Sequence, residues 1–186
     1  MTGRAAIAVL LATGCGAQLG GSSGDDGNFE TTDAKVWQDA AIDAPVDARP
    51  CMGGTAAAVA PDGSCLVFVM TPVTNVNAKA ACMAMNAHLA YLKSATLDAF
   101  AEQHIGMTDA WIGATDRTTE KTFLWDDGTA LGYTNWGDGE PNNGGDTYQE
   151  DCVIIAGSRV DKGWDDRPCD ASEVPTSGNF AYLCQY

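Results

Sequence analysis

Two stretches of the chain repeat their apolar residues at helical spacing. The first is residues 75–86, and the second follows Ser94. A spacing of three to four residues places side chains on one face of a helix, and serine is a residue type that caps helix N-termini. The sequence therefore predicts two helices, with apolar faces formed by Val76, Ala80 and Met83 in the first and by Leu97, Phe100, Ala101 and Ile105 in the second.

The rest of residues 51–186 consists of short apolar runs separated by clusters of Gly, Asn and Asp. Such runs are typical of short strands joined by loops. Two helices combined with several short strands favour an α+β domain. The predicted strand segments are residues 65–70, 111–113, 123–125, 152–155 and 180–184.

Residues 1–50 have a different pattern. The apolar run 5–12 follows Arg4 and leads through small residues to Cys15. It is too short to span a bilayer and is typical of a secretory signal. Its end resembles the lipobox of bacterial lipoproteins, which implies that Cys15 is acylated. An ordinary signal peptide with an incidental cysteine is the alternative.

The segment after Cys15 is acidic, punctuated by Ala and Pro, and poor in large apolar residues. Such a composition predicts a disordered tether. We therefore expect a signal peptide over residues 1–14, lipidated Cys15 with a disordered acidic linker over residues 15–50, and a folded domain over residues 51–186. The protein would be exported and lipid-anchored at the bacterial cell envelope or surface, with no other contact with the membrane.

Composition and charge narrow the class of partner. Hydrophobic residues form 45% of the chain, which is enough for a packed core. The net charge is −15, from 10 Lys and Arg against 25 Asp and Glu. Because such a chain repels phosphate backbones, we expect no nucleic-acid partner. No nucleophile–base motif is visible, so the sequence does not predict an enzyme.

Six of the seven cysteines lie in residues 51–186. In an exported domain they are expected to form three disulfides, and spacing alone leaves fifteen possible pairings. Zinc is the competing use of cysteines. It is disfavoured because the chain has no C-x₂-C pair and its two histidines are not placed to complete a site.

Several short motifs occur in order along this domain, and together they resemble a C-type lectin domain over essentially all of residues 51–186. The resemblance implies an α+β C-type lectin fold with two helices, short antiparallel sheets and a long calcium-binding loop. It also implies the disulfides Cys51–Cys65, Cys82–Cys184 and Cys152–Cys169. The motifs are Cys82…His88-Leu89-Ala90, Trp111-Ile112-Gly113, Trp136…Glu140-Pro141-Asn142, Glu150-Asp151-Cys152, Trp164-Asp165-Asp166 and Cys169…Cys184.

The same resemblance implies a Ca²⁺ ion that binds a sugar. Calcium takes about six to eight oxygen ligands, and two vicinal sugar hydroxyls would complete its shell. Each hydroxyl also needs an acceptor and a donor from the protein. The Glu-Pro-Asn order, with a cis bond before Pro141, implies mannose, fucose, glucose or N-acetylglucosamine. The implied calcium and carbohydrate ligands are Glu140 and Asn142 at one hydroxyl, Glu150 and Asp165 at the other, and Asp166.

Asp165 departs from the family pattern, which usually has Asn at this position. An ionised carboxylate still binds calcium, but it cannot donate a hydrogen bond to the second sugar hydroxyl. We therefore expect calcium binding to be more secure than sugar binding.

A second, auxiliary calcium site is implied in the neighbouring loops. Asn143 stands where the family usually has Asp, so this site carries one negative charge fewer. The implied ligands are Asp116, Glu120, Asn143, Glu150 and Asp151.

Other conspicuous side chains are assigned to packing. By the resemblance, His88 lies in a structural segment, and we expect Trp111, Trp125 and Trp136 in the core. Trp164 is expected to pack beneath the calcium loop.

Three functions remain open at this point. The first is calcium-dependent binding of a glycan or glycoprotein. The second is a protein-binding or adhesion module of the same fold, with structural calcium and no sugar. The third is a metal-dependent hydrolase, which is disfavoured because no acid stands apart from the calcium set in an apolar setting that would raise its pKa.

Overall fold

A computed structural model describes residues 50–146, 149–170 and 178–186 of the chain. The predicted signal peptide, Cys15 and nearly all of the predicted linker lie outside these residues. Within the described ranges, no helix has the length and apolar character needed to cross a membrane.

Both predicted helices are present, and each begins after a hydroxyl cap. Helix α1 spans Asn75–Ala84, and the Thr74 side chain accepts a hydrogen bond from the third residue beyond it. Helix α2 spans Ala95–Ile105, and Ser94 Oγ accepts from the Leu97 N–H at 3.2 Å. The cap oxygens satisfy backbone donors that the first helical turn leaves unpaired.

The predicted apolar face is confirmed for α2 and wrong for α1. Leu97, Ala101 and Ile105 are buried, with Phe100 partly buried. In α1 the buried apolar residues are Ala78 and Cys82, whereas the predicted residues are all exposed: Val76, Ala80 and Met83. The disulfide from Cys82 to the central sheet decides which side of α1 faces inward.

Eight strands in the described residues join a single sheet. Every predicted strand segment is found in it. The strands are β1 (Ala56–Val59), β2 (Cys65–Val73), β3 (His88–Leu89), β4 (Asp109–Thr115), β5 (Leu124–Trp125), β6 (Cys152–Ala156), β7 (Trp164–Arg167) and β8 (Phe180–Gln185).

The order of the main strands is β1-β2-β8-β4-β6-β7, with β3 paired to β8 and β5 paired to β4. All neighbouring strands are antiparallel except β4 and β8, which run parallel. The sheet is therefore mixed and continuous, where short antiparallel sheets were expected. The α+β class and the C-type lectin arrangement of helices and strands agree with the prediction.

The three disulfides implied by the resemblance are all present. Cys51–Cys65 links the segment before β1 to the start of β2, and Cys82–Cys184 links α1 to β8. Cys152–Cys169 joins the start of β6 to the segment after β7. This last bridge encloses β7, which carries two of the predicted calcium ligands, Asp165 and Asp166.

The tryptophans predicted to pack in the interior do so. Trp125 and Trp164 are buried in one core cluster, against which Trp136 packs, and Trp111 is buried in a second cluster. The ring of Trp164 lies 5.8 Å from those of Trp125 and Trp136, and its Nε1 donates to Asp98 Oδ1 of α2 at 2.9 Å. A group of indole rings thus underlies strand β7.

Backbone contacts hold the long loop between β5 and β6 against β7. The Trp164 N–H donates to the Asn135 carbonyl at 2.6 Å, and the Gly137 N–H donates to the Trp164 carbonyl at 2.9 Å. A glycine is required at residue 163, because a Cβ there would lie 2.3 Å from the Cα of Gly137. The loop and the strand, which carry different candidate ligands, are therefore fixed to each other.

Candidate functional site

Three acidic side chains from the loop and from β7 meet at one point. Ligand oxygens of Glu140, Asp165 and Asp166 all lie within 4.8 Å of one another. Calcium–oxygen distances are about 2.3–2.6 Å, so two ligands of one ion are separated by up to about 5 Å. No other acidic, histidine or cysteine side chains in the described ranges form such a group.

Asn142 joins this group from the loop. The Glu140–Pro141 peptide bond is cis, as the resemblance implied. Asn142 Nδ2 donates to Glu140 Oε2, and the Asn142 backbone N–H donates to Asp166 Oδ1 at 2.9 Å. An amide and a carboxylate therefore stand side by side, which is the donor–acceptor combination that one sugar hydroxyl requires.

Asp165 has the most perturbed environment of the group. The residue is 0% exposed, and burial raises the pKa of its carboxyl to about 7; Arg167 opposes this shift and Glu140 adds to it. Its Oδ2 accepts a hydrogen bond from Arg167 Nη2 at 2.6 Å, whereas its Oδ1 has no hydrogen-bond partner in the described part of the chain. A buried carboxylate oxygen without a partner is costly, and a bound cation would satisfy it.

Two arginines approach these carboxylates, and the sequence analysis missed both. Arg159 Nη1 lies 2.9 Å from Glu140 Oε1 and 3.6 Å from Asp165 Oδ2. Arg167 follows Asp166 directly and contacts Asp165 from the end of β7. The adjacency of Arg167 to the acidic motif was visible in the sequence. The position of Arg159 was not, because it depends on how a separate loop folds.

Glu150 lies beside this group, although it is not one of the three clustered acids. It is 7% exposed, and burial raises the pKa of its carboxyl. Its Oε2 accepts from the Gly144 N–H at 2.5 Å, and its Oε1 lies 3.7 Å from Arg167 Nη1. The turn α3 (Asn143–Asp146), in which Asn143 has a φ of 48° and Gly144 a φ of 56°, presents this backbone donor.

The predicted auxiliary ligands lie near a neighbouring cleft of about 340 Å³. Asp116 lines it, is 4% exposed, and has one oxygen with no partner among the described residues; burial raises the pKa of this carboxyl to about 6. Asn143 Nδ2 donates to Glu120 Oε1 at 2.8 Å. Asp151 is instead 3.8 Å from Arg117 Nε. The structure therefore brings Asn143 and Glu120 together but does not cluster the auxiliary carboxylates around one point.

The donor set suits a hard cation. All the grouped ligand atoms are oxygens, which favours calcium over zinc or copper. The partnerless Oδ1 of Asp165 adds a buried acceptor on one member of the group. The residues fit a calcium ion, for which Glu140, Asp165 and Asp166 would be the core ligands, with Asn142 and Glu150 adjacent.

The family described as the lectin C-type domain matches residues 71–175 of the chain. The chain belongs to this family. The match includes α1, α2, the long loop and β7, and therefore every candidate ligand named above.

Known proteins similar to this C-type lectin domain include receptors and antifreeze proteins. The low affinity immunoglobulin epsilon Fc receptor of Mus musculus is 42% identical over 94 residues, which is 50% of this chain and 27% of the receptor. The carbohydrate-recognition domain of cow CD23, solved in the presence of a GlcNAc2Man3 oligosaccharide, is 28% identical with a TM-score of 0.57, and the match covers 66% of this chain and 87% of that one. A calcium-independent type II antifreeze protein is 25% identical with a TM-score of 0.60, covering 73% and 94%.

These relatives are binding proteins rather than enzymes, in agreement with the prediction that this C-type lectin domain is not an enzyme. The comparisons therefore disfavour the metal-dependent hydrolase. The chain spans only about a quarter of the mouse receptor that it matches.

Proposed function

We propose that this C-type lectin domain binds a saccharide through a calcium ion held by Glu140, Asn142, Glu150, Asp165 and Asp166. The observation that carries the proposal is the cluster of three acids, one of which, Asp165, also has a buried oxygen, Oδ1, with no hydrogen-bond partner in the described residues. A cation at this point satisfies the orphaned oxygen and offsets the repulsion among the carboxylates.

The neighbouring groups support a sugar as the ligand of that cation. When bound, calcium supplies open coordination positions for two vicinal hydroxyls. Glu140 accepts a hydrogen bond from one hydroxyl, and the Asn142 amide donates one to the oxygen of the same hydroxyl. The Glu-Pro-Asn order favours a mannose, fucose, glucose or N-acetylglucosamine ligand on a glycan or glycoprotein. The cow CD23 domain was solved with an oligosaccharide that contains two of these sugars.

A glycan array tests the proposal directly. The full chain is applied with about 1 mM calcium and again with a chelator. This concentration is at the upper end of the dissociation constants of extracellular calcium modules. We expect calcium-dependent signal on mannose-type glycans. Glu140→Gln keeps the size of the side chain but removes the charge, and it should abolish that signal. Binding that is equal with calcium and with chelator would refute the proposal.

A second function is favoured by the arginines. Arg159 and Arg167 already partly neutralise Glu140 and Asp165. A guanidinium in this role would stabilise the loops without calcium and leave the surface to bind a protein. A similar structure is described as a calcium-independent antifreeze protein. A melting temperature that does not change between calcium and chelator would favour this function over sugar binding.

We also propose that Cys15 is acylated and that the acidic linker carries the domain away from a bacterial envelope membrane. The support is the apolar run and the small residues that precede Cys15. Anchoring would cluster many domains on one surface. Because single-site sugar affinities are weak, clustering raises the avidity for a glycan-bearing surface.

A further inference from the structure

Arg167 lies at the pair of acids that the proposed function assigns to the second sugar hydroxyl. Its Nη2 is 2.6 Å from Asp165 Oδ2, and its Nη1 is 3.7 Å from Glu150 Oε1. The side chain of Arg167 is 36% exposed, whereas that of Asp165 is completely buried. The guanidinium thus belongs to a side chain that contacts both acids and is more exposed than either of them.

The N–H groups of Arg167 are less fully used than those of Arg159. The latter donates through Nε to Asp161, through Nη1 to Glu140 and through Nη2 to the Asp138 carbonyl. Among the described residues, Arg167 donates one hydrogen bond, to Asp165. Since a guanidinium carries five N–H donors, Arg167 retains donors for a ligand, while Arg159 serves the loop.

We propose that Arg167 contacts the sugar and supplies the hydrogen-bond donor that Asp165 cannot provide. This inference rests on the proposed function. The second hydroxyl meets two acceptors, Glu150 and Asp165, and needs one donor. An asparagine at residue 165 would supply a neutral amide. In this chain the donor is instead Arg167, which lies two residues after Asp165 in β7 and carries a full positive charge.

Two consequences distinguish Arg167 from a merely structural ion pair. Charge-assisted hydrogen bonds are roughly twice as strong as neutral ones, so loss of the arginine should weaken sugar binding by about tenfold or more. Calcium affinity should not fall, because Arg167 holds a positive charge next to a calcium ligand. Loss of Arg167 should therefore lower the affinity for the sugar without lowering the affinity for calcium.

Isothermal titration calorimetry tests the inference on the full chain, with D-mannose as the probe at saturating calcium. Arg167→Met should weaken mannose binding about tenfold, while Arg167→Gln, which keeps a neutral donor, should lose less. Lys79→Met removes the same charge on α1, where Lys79 pairs with Asp126 and not with a candidate ligand, and it serves as the control for net charge. Thermal melting of each variant establishes that it is folded.

A double-mutant cycle with Asp165→Asn separates the donor from other effects. In the wild-type background, Asp165→Asn should change mannose affinity little, because Arg167 already donates. In the Arg167→Met background, the new amide should recover about fivefold. The proposed coupling predicts this difference between the two backgrounds.

Two outcomes would overturn the inference, and they differ from each other. If wild type and Arg167→Met bind mannose equally in calcium, Arg167 does not contact the sugar and the proposed function stands. If calcium binds normally and the wild type binds neither mannose nor any glycan of the array, the sugar function fails and the role of Arg167 fails with it.

Discussion

The buried carboxyl of Asp165 makes the stability of the calcium-free protein depend on pH. Its pKa is about 7 in the folded protein, against an ordinary value of 3.8. Because the folded-state pKa is raised, the stabilising contribution is fully present below about pH 4 and is lost as the pH rises through about 7. The calcium-free protein should therefore become less stable between these pH values.

The magnitude follows from the size of the shift. One pKa unit corresponds to about 1.4 kcal/mol, so a shift of about three units represents on the order of 4 kcal/mol. In a domain of this size that corresponds to on the order of 10 °C in melting temperature. Asp116, with a pKa of about 6, acts in the same direction over a lower pH range. Under the proposed function, calcium should reverse the trend, because it would bind the ionised carboxylates only in the folded state.

Thermal melting between about pH 4.5 and 8, with calcium and with chelator, measures this effect. The calcium-induced rise in melting temperature should grow with pH. Near pH 6.5, calcium addition should also release a proton from Asp165, which appears as a buffer-dependent binding enthalpy in calorimetry. Asp165→Asn is the matched control, since it keeps a ligand oxygen and cannot titrate. A calcium-free melting temperature that is constant or rises from pH 4.5 to 7, or equal proton release by Asp165→Asn, would refute the reasoning.

Three further predictions concern a disulfide, the packing of Gly163 and the proposed lipid anchor. Replacing both Cys82 and Cys184 with Ala should lower the free energy of unfolding by roughly 4–5 kcal/mol in urea titration, because the bridge closes a 102-residue separation. Gly163→Ala should destabilise the domain by about 1–3 kcal/mol and weaken calcium binding, since its Cβ would collide with Gly137; unchanged melting and calcium affinity would contradict this. Cys15→Ser should move the protein from the detergent phase to the aqueous phase in a phase-partition assay, and a wild type already in the aqueous phase would exclude the anchor.

Local patterns predicted the elements better than they predicted the packing. The face of α2 was correct because its apolar residues have only one consistent side. The face of α1 was wrong because its larger apolar residues, Val76 and Met83, are exposed, while small Ala78 and the disulfide partner Cys82 face the sheet. The Cys82–Cys184 disulfide to β8 fixes the orientation of α1 against its weak apolar pattern. The spacing of apolar residues contains no information about that disulfide.

The candidate ligands could be predicted from the sequence because they lie in short motifs next to a distinctive proline or tryptophan. Glu140 and Asn142 flank Pro141, and Asp165 and Asp166 follow Trp164. Contacts between distant segments were not accessible in this way. Asp98 of α2, which accepts from Trp164 Nε1, and Arg159, which reaches Glu140, become neighbours of the site only when the chain folds.

The indole group beneath β7 gives this protein an internal optical reporter. Trp164 precedes Asp165 in the chain, and its ring lies 5.8 Å from two other indoles. Chromophores this close interact electronically, so their near-ultraviolet circular dichroism depends on their mutual orientation. A displacement of β7 too small to alter the melting curve should therefore change the spectrum. Any displacement of β7 that accompanies occupation of the acidic cluster should therefore be detectable without attaching a label.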